Sequence, residues 1–315
     1  MQAATFLRLT RQLVRGAVGF AATPATRLAA YALVALYATW PMLSRAGQVN
    51  EFRDAQFLRV YEEGAVRALR AAQLPLWNPY YCGGLYGWAT PQSRHASPTV
   101  LLSWLLGSAR AEAFTAFLLV LLGLEGFYRY ARRPGVAAPG PFVAAPVFAL
   151  CGFFASAYFN GWVSFFGFQL VPWVLYGARR TALGERWGFA TVALSFAAIV
   201  GFGGTYAAPM AALFAVPEYL RGALTHVYRA KGHRALYLGE LALRAALVAY
   251  LTATVAAFRL WPVLETLASA PRVMAGAPKH TVEELTAMLR ERGDVLNGDL
   301  VAAGFAFVAV APRLF

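Results

Sequence analysis

The sequence predicts an all-α, polytopic transmembrane helical bundle of about seven or eight spans, with a large outside loop after the first span. Three observations predict it. Of 315 residues, 59% are hydrophobic and only 14% are charged, with mean hydropathy +0.50, so the apolar surface exceeds what a soluble core can absorb. The apolar runs alternate with arginine-bearing loops. One polar, aromatic, Gly/Pro-rich island, residues 50–98, interrupts them.

The spans are read in order from runs long enough to cross a bilayer, about 20 residues each. They fall at 27–43, 112–131, 141–158, 162–178, 187–203, 206–220 and 237–262, with a last, short run at 300–312. Ahead of the first, Arg8, Arg11 and Arg15 recur opposite Leu7, Val14 and Val18. That spacing predicts an amphipathic helix on the membrane surface rather than a cleavable leader.

Arginine and lysine placement sets the expected orientation. Arg8, Arg11, Arg15 and Arg27 place the N-terminus in the cytoplasm of a multi-pass inner (plasma) membrane protein. Arg132/Arg133, Arg179/Arg180/Arg186 and Arg221/Arg229/Lys231/Arg234 then also fall inside. Residues 44–111 form the first extracytoplasmic loop and 263–299 a later one, within a single transmembrane domain, 1–315. The final apolar run suggests a fragment or a shortened member of something longer. The net charge of +13 is accounted for by topology and anionic lipid, and no nucleic-acid partner is expected.

Within the island, Phe57, Leu58, Tyr61, Ala65, Ala68 and Leu69 share one helical face and Arg59, Glu63, Arg67 and Arg70 the other. This predicts a helix lying along the outer surface and ended by Pro75. Glu62 and Glu63 read as ion-pairing residues for neighbouring arginines. Residues 98–107 are apolar but too short to cross. A second outside helix is expected at 282–292, where Thr281 and Glu284 form a capping box. Cys82 and Cys151 lie at different depths, so no disulfide is expected, and four scattered histidines with no Cys/His cluster argue against a zinc site.

Candidate chemistry concentrates in the island. Asp54, at the start of the surface helix, is either a first-turn acid stabilising free N–H groups or a general base at the membrane surface; Glu51 is the alternative acid. Trp77, Asn78, Tyr80 and Tyr81 lie in the run LPLWNPYYCGG. They read as an interfacial anchor or as a sugar-binding cleft, because sugars stack on aromatic faces and bond to amides. Gln92, Arg94 and His95 occupy its Pro-bounded tail, where Arg94 suits a phosphate. Arg272, with Arg259 and Glu265, flanks the outer end of the seventh span, where a cation suits a lipid-linked phosphate leaving group. Glu125 and Arg129 form a structural i,i+4 pair, and Arg244 is an intramembrane charge that calls for a partner.

Taken together, Asp54 and Gln56 in D-x-Q, LPLWNPYYCGG at 74–84, Pro91–Gln92, Ser97–Pro98, WPVLE at 261–265 and SAPR at 269–272 resemble the YfhO-like polytopic proteins of the broad GT-C glycosyltransferase class. The resemblance covers most of the chain and is most specific within 50–98. It implies a transferase that moves a sugar from a polyprenyl-phosphate donor to a glycan, lipid or protein acceptor on the extracytoplasmic face. It further implies that the first-loop acid, here Asp54, acts in catalysis or holds a metal. The second outside loop, near Asn160–Gly161, carries no acid; this departs from the class, so no metal ligand is assigned and a divalent cation stays open. The alternative function is a lipid-linked-sugar transporter or a non-catalytic membrane assembly protein.

Overall fold

A computed structural model describes residue 19 and residues 23–45, 53–80, 83–132, 136–159, 161–204, 206–229 and 234–269. The fold is all-α, with ten α-helices among these residues. In chain order they are α1 (Pro24–Ser44), α2 (Arg53–Arg70), α3 (Pro98–Leu106), α4 (Ser108–Ala131), α5 (Pro139–Ala149), α6 (Gly152–Phe159), α7 (Val171–Ala182), α8 (Gly188–Gly201), α9 (Ala207–Arg229) and α10 (Arg234–Ser269). A 3-10 stretch, Val163–Leu170, leads into α7. The only sheet among the described residues pairs β1 (Trp77–Asn78) with β2 (Leu85–Tyr86), antiparallel, with Trp77 opposite Tyr86.

Proline and serine set several helix starts. Pro24, Pro98, Pro139 and Pro172 occupy first-turn positions, where a missing N–H costs nothing and the fixed φ suits the helix. Before α3, the Ser97 hydroxyl accepts from the Thr99 N–H at 3.2 Å, a side-chain N-cap. Gly107, at φ 82°, turns the chain from α3 straight into α4; a side chain there would be strained.

The centre of the structure is α4. It packs against α1, α3, α5, α7 and the 3-10 stretch. On one side Tyr31 and Ala35 of α1 meet Val120 and Leu124, and Tyr31 stacks on Phe142 at 5.2 Å while its hydroxyl donates to the Phe142 carbonyl. On the other side Leu119 joins a core built from Phe166, Leu170, Val174 and Ile199. Helices α7, α8, α9 and α10 pack beside one another to complete the array.

Among the described residues, two helices are long and apolar enough to cross a membrane: α4, and Tyr237–Ser269 within α10. Pro139–Ala149 and Gly152–Tyr158 pass the same test together, bent by 42°, as a broken span or a re-entrant loop. These helices mark a membrane protein. They also redraw several expected spans. The run 141–158 is broken at Leu150–Cys151. The run 162–178 is a 3-10 stretch followed by a 12-residue helix, and α8 has only 14 residues. The amphipathic stretch before residue 19, the helix at 282–292 and the run at 300–312 lie outside the described residues.

Candidate functional site

The island folds as α2, a turn, the β1–β2 hairpin and a second turn into α3. Helix α2 ends at Arg70, five residues before Pro75. The stop is made by the backbone: Ala72 adopts φ 54° and the Gln73 N–H donates to the Ala68 carbonyl at 2.9 Å, closing the C-terminal turn.

The contact face of α2 is rotated from the one its apolar spacing suggests. Leu58, Tyr61, Ala65 and Val66 are buried, and so is Glu62, at 1% exposure. A carboxylate on an apolar face requires a cation. Arg94 supplies it: its Nη2 donates to Glu62 Oε2 at 2.6 Å, and the Ser103 hydroxyl of α3 donates to Glu62 Oε1 at 2.7 Å. Glu112, in the second turn of α4, completes the group. Its Oε2 accepts from Arg59 Nε at 3.3 Å and lies 4.0 Å from Arg94. Two glutamates and two arginines thus close a charge-balanced cluster between α2, α3 and α4. Glu112 Oε1 is buried and has no hydrogen-bond partner among the described residues.

The tail of the island is locked from a distance. Arg259 of α10 is 1% exposed. Its guanidinium donates to the carbonyls of Trp88 at 2.7 Å, Thr90 at 2.8 Å, Pro91 at 3.1 Å and Ser93 at 2.5 Å, and to Ser93 Oγ at 3.1 Å. A delocalised cation with five N–H donors fits a ring of carbonyls that no lysine could satisfy. Next to it His95 places Nε2 2.5 Å from the Tyr61 carbonyl. Burial pushes the His95 pKa below its ordinary value, outweighing the carbonyls of Tyr61 and Pro75. Gly87 is required here: a Cβ would sit 2.0 Å from His95 Nδ1 and 2.5 Å from the Pro75 carbonyl oxygen.

The hairpin presents rings. Trp77, Tyr80 and Tyr86 are exposed. Trp77 meets Tyr86 edge-on at 5.3 Å, and the Arg67 guanidinium lies over the Tyr80 ring at 4.9 Å. Asn78 does not join this ledge. It is fully buried, packs into the space left by Gly64, and its Oδ1 accepts from the Tyr80 N–H at 3.0 Å, an Asx-type turn contact.

Beside the island, α3, α4, the 3-10 stretch, α7 and α8 line an apolar groove of about 480 Å³. It begins at Pro98 and Thr99 and runs past Thr115, Leu118, Leu122 and Ala198. The Thr115 and Thr99 hydroxyls meet at 3.4 Å, and Thr115 lies one helical turn from Glu112.

The residues expected to carry chemistry therefore separate. Trp77 and Tyr80 are exposed with Tyr86, and Gln92 is half-buried, its carbonyl against Gly203. Arg94, expected to face a phosphate, is held in an ion pair with side chains 2% and 1% exposed. Asn78 and His95 are buried structural groups. Asp54 lies in the first turn of α2, its side chain outside the described set; Glu51, Tyr81 and Arg272 lie outside the described residues altogether. Sequence reasoning missed Glu112 and Ser103. The available signals were a carboxylate early in an apolar span and Glu62 on the same face as Leu58 and Ala65. Glu62 is ion-paired as expected, but with an arginine 32 residues away rather than one on its own helix.

No family model matches the chain, and neither the curated proteins nor the solved structures contain a match to it.

Proposed function

We propose that the chain is a GT-C-type membrane glycosyltransferase of seven to eight spans, N-terminus cytoplasmic, that transfers a sugar from a polyprenyl-phosphate donor to an acceptor on the extracytoplasmic side. The carrying observation is the lateral apolar groove that begins where the island ends, at Pro98 and Thr99. An isoprenoid tail needs an apolar channel of this kind, with the head of the donor delivered to the polar loop above it. The half-exposed rings of Trp77, Tyr80 and Tyr86 supply a stacking surface for a sugar beside that loop. The Arg59–Glu62–Arg94–Glu112 cluster fixes the loop on α4 and is the frame of the site rather than its reacting groups. Asp54, at the head of α2, is assigned as the base that takes the acceptor hydroxyl proton as it attacks the anomeric carbon; the lipid phosphate departs without a general acid.

The competing reading, a lipid-linked-sugar transporter or a non-catalytic assembly protein, draws on the fully paired state of Arg94. Reconstituted protein with a radiolabelled polyprenyl-phosphate sugar separates the two. Transfer requires label on the acceptor, and Asp54→Asn abolishes it. Ala198→Trp, which fills the groove, lowers transfer from long-chain donors and spares a short-chain analogue. Label that crosses the bilayer without joining an acceptor rejects the enzyme, and Asp54→Asn at the wild-type rate rejects the assigned base.

A further inference from the structure

The end of α4 away from the island holds a second polar site, independent of the glycosyl-transfer reading. A cleft of about 230 Å³ is lined by Tyr128, Arg129 and Arg132 of α4 and its exit, and by Tyr176, Arg179 and Arg180 of α7, with Leu183 and Glu185 at its edge. Four arginines face one glutamate there. The cations are pre-positioned. Arg180 lies over the Tyr176 ring at 5.2 Å and Arg129 over Trp173 at 5.3 Å, so ring faces hold the guanidinium planes and leave their N–H edges directed elsewhere.

The acids nearby are already engaged. Glu125 bridges Arg27 and Arg129. Glu185 pairs with Arg180 at 2.9 Å. Glu218 pairs with Arg221 and also accepts from the Tyr130 hydroxyl. Arg179 has Arg221, Glu218 and Glu185 as its charged neighbours, yet its half-buried guanidinium forms no ion pair or hydrogen bond among the described residues. A concave cluster with a cationic surplus and one uncommitted guanidinium calls for an anion that accepts several N–H bonds at once. Tetrahedral phosphate does so, bidentate to one arginine and singly to others. The volume is adequate, since a water occupies about 30 Å³. The turn that follows Glu185 carries exposed Trp187, beneath Arg186 at 5.4 Å, and the first turn of α8 carries exposed Phe189. Tryptophan is enriched at headgroup depth in a bilayer.

We infer that this cleft binds a phosphate group, with Arg179 as its principal ligand and Arg129, Arg132 and Arg180 around it. The phosphate of an anionic lipid and a soluble phosphate share this chemistry, and the test separates them. The full chain in phosphatidylcholine nanodiscs is titrated in one arm with phosphatidylglycerol and in the other with inorganic phosphate, at constant ionic strength, with thermal stabilisation as the readout. Wild-type protein is stabilised in at least one arm; response to phosphatidylglycerol alone identifies the lipid, and response to both identifies phosphate as such. Arg179→Gln weakens the apparent affinity roughly tenfold, the effect of one charge-assisted contact, and Arg179→Lys restores part of it. Glu185→Gln, which removes the one acid lining the cleft and keeps every arginine, with Arg180 still donating to the Arg186 carbonyl at 2.7 Å, tightens binding. No stabilisation of wild type in either arm overturns the inference, as does Arg179→Gln titrating like wild type. If Arg179→Gln does not fold, Glu185→Gln decides, and unchanged affinity in that variant overturns it.

Discussion

The two ends of α4 handle charge in opposite ways. Near its start, Glu112 sits with Glu62, Arg59 and Arg94, two acids against two bases, all packed between helices. Thirteen residues on, roughly 20 Å along the axis, Glu125 is shared by Arg27 and Arg129 beside an open cleft that adds Arg132, Arg179 and Arg180. The first cluster is closed and neutral, so its groups are committed to holding the island in place. The second is open and cationic, so it retains capacity for an external anion. Ion pairs alone therefore do not mark a functional site. The balance of charge and access to solvent distinguish a brace from a binding surface.

The comparison can be broken most forcefully at the closed end. Arg94→Ala leaves Glu62 and Glu112 buried beside one another with Arg59 as the remaining cation. The expected loss is about 3–5 kcal/mol of stability, the usual cost of removing one partner from a buried pair. Thermal unfolding in detergent measures it, and a loss below that of Arg27→Gln contradicts the brace assignment. Arg259→Met comes next, at about 3 kcal/mol, because several buried carbonyls lose their donor together. Limited proteolysis within 87–93 should quicken in that variant. At the open end, Arg27→Gln should cost about 1.5–3 kcal/mol, less than Arg94→Ala, since Arg129 still bonds to Glu125 at 2.7 Å; a larger loss would make this end a brace as well.

The smallest effect is titration of His95. Its imidazole is neutral in the fold, with its pKa lowered chiefly by burial, whereas the unfolded chain takes up a proton near pH 6.5. Stability from this residue is complete above that pH and declines as pH falls below it. The melting temperature should drop between pH 7.5 and pH 5, and His95→Gln should flatten that part of the curve.

The helical architecture was legible because apolar runs and first-turn prolines are local signals. The division of those runs was not. VSFFGFQL reads as part of a continuous span, yet Gln169 turns inward to donate to the Ala149 carbonyl at 3.0 Å and to the Tyr158 hydroxyl at 3.3 Å, and the backbone there is 3-10. A tertiary contact outweighs the hydropathy of the run. In the site, exposed rings were readable from LPLWNPY because composition alone places them at a surface. Arg94 looked like a free cation because its partners stand 32 and 18 residues away, and no spacing rule reaches that far. Arg259 was expected at the outer end of the seventh span, beside a lipid-linked phosphate; it bonds instead to main-chain carbonyls of the island's tail, which carry no signature in side-chain sequence.

That last contact also orders events in time. Arg259 lies on the final described helix, and its acceptors precede it by 166 to 171 residues. While the ribosome is still delivering the middle of the chain, the turn at 87–93 has no cation to gather its carbonyls. The island is therefore finished last although it is synthesised early, and a nascent chain halted before residue 259 should carry a protease-sensitive loop that hardens only once α10 is inserted.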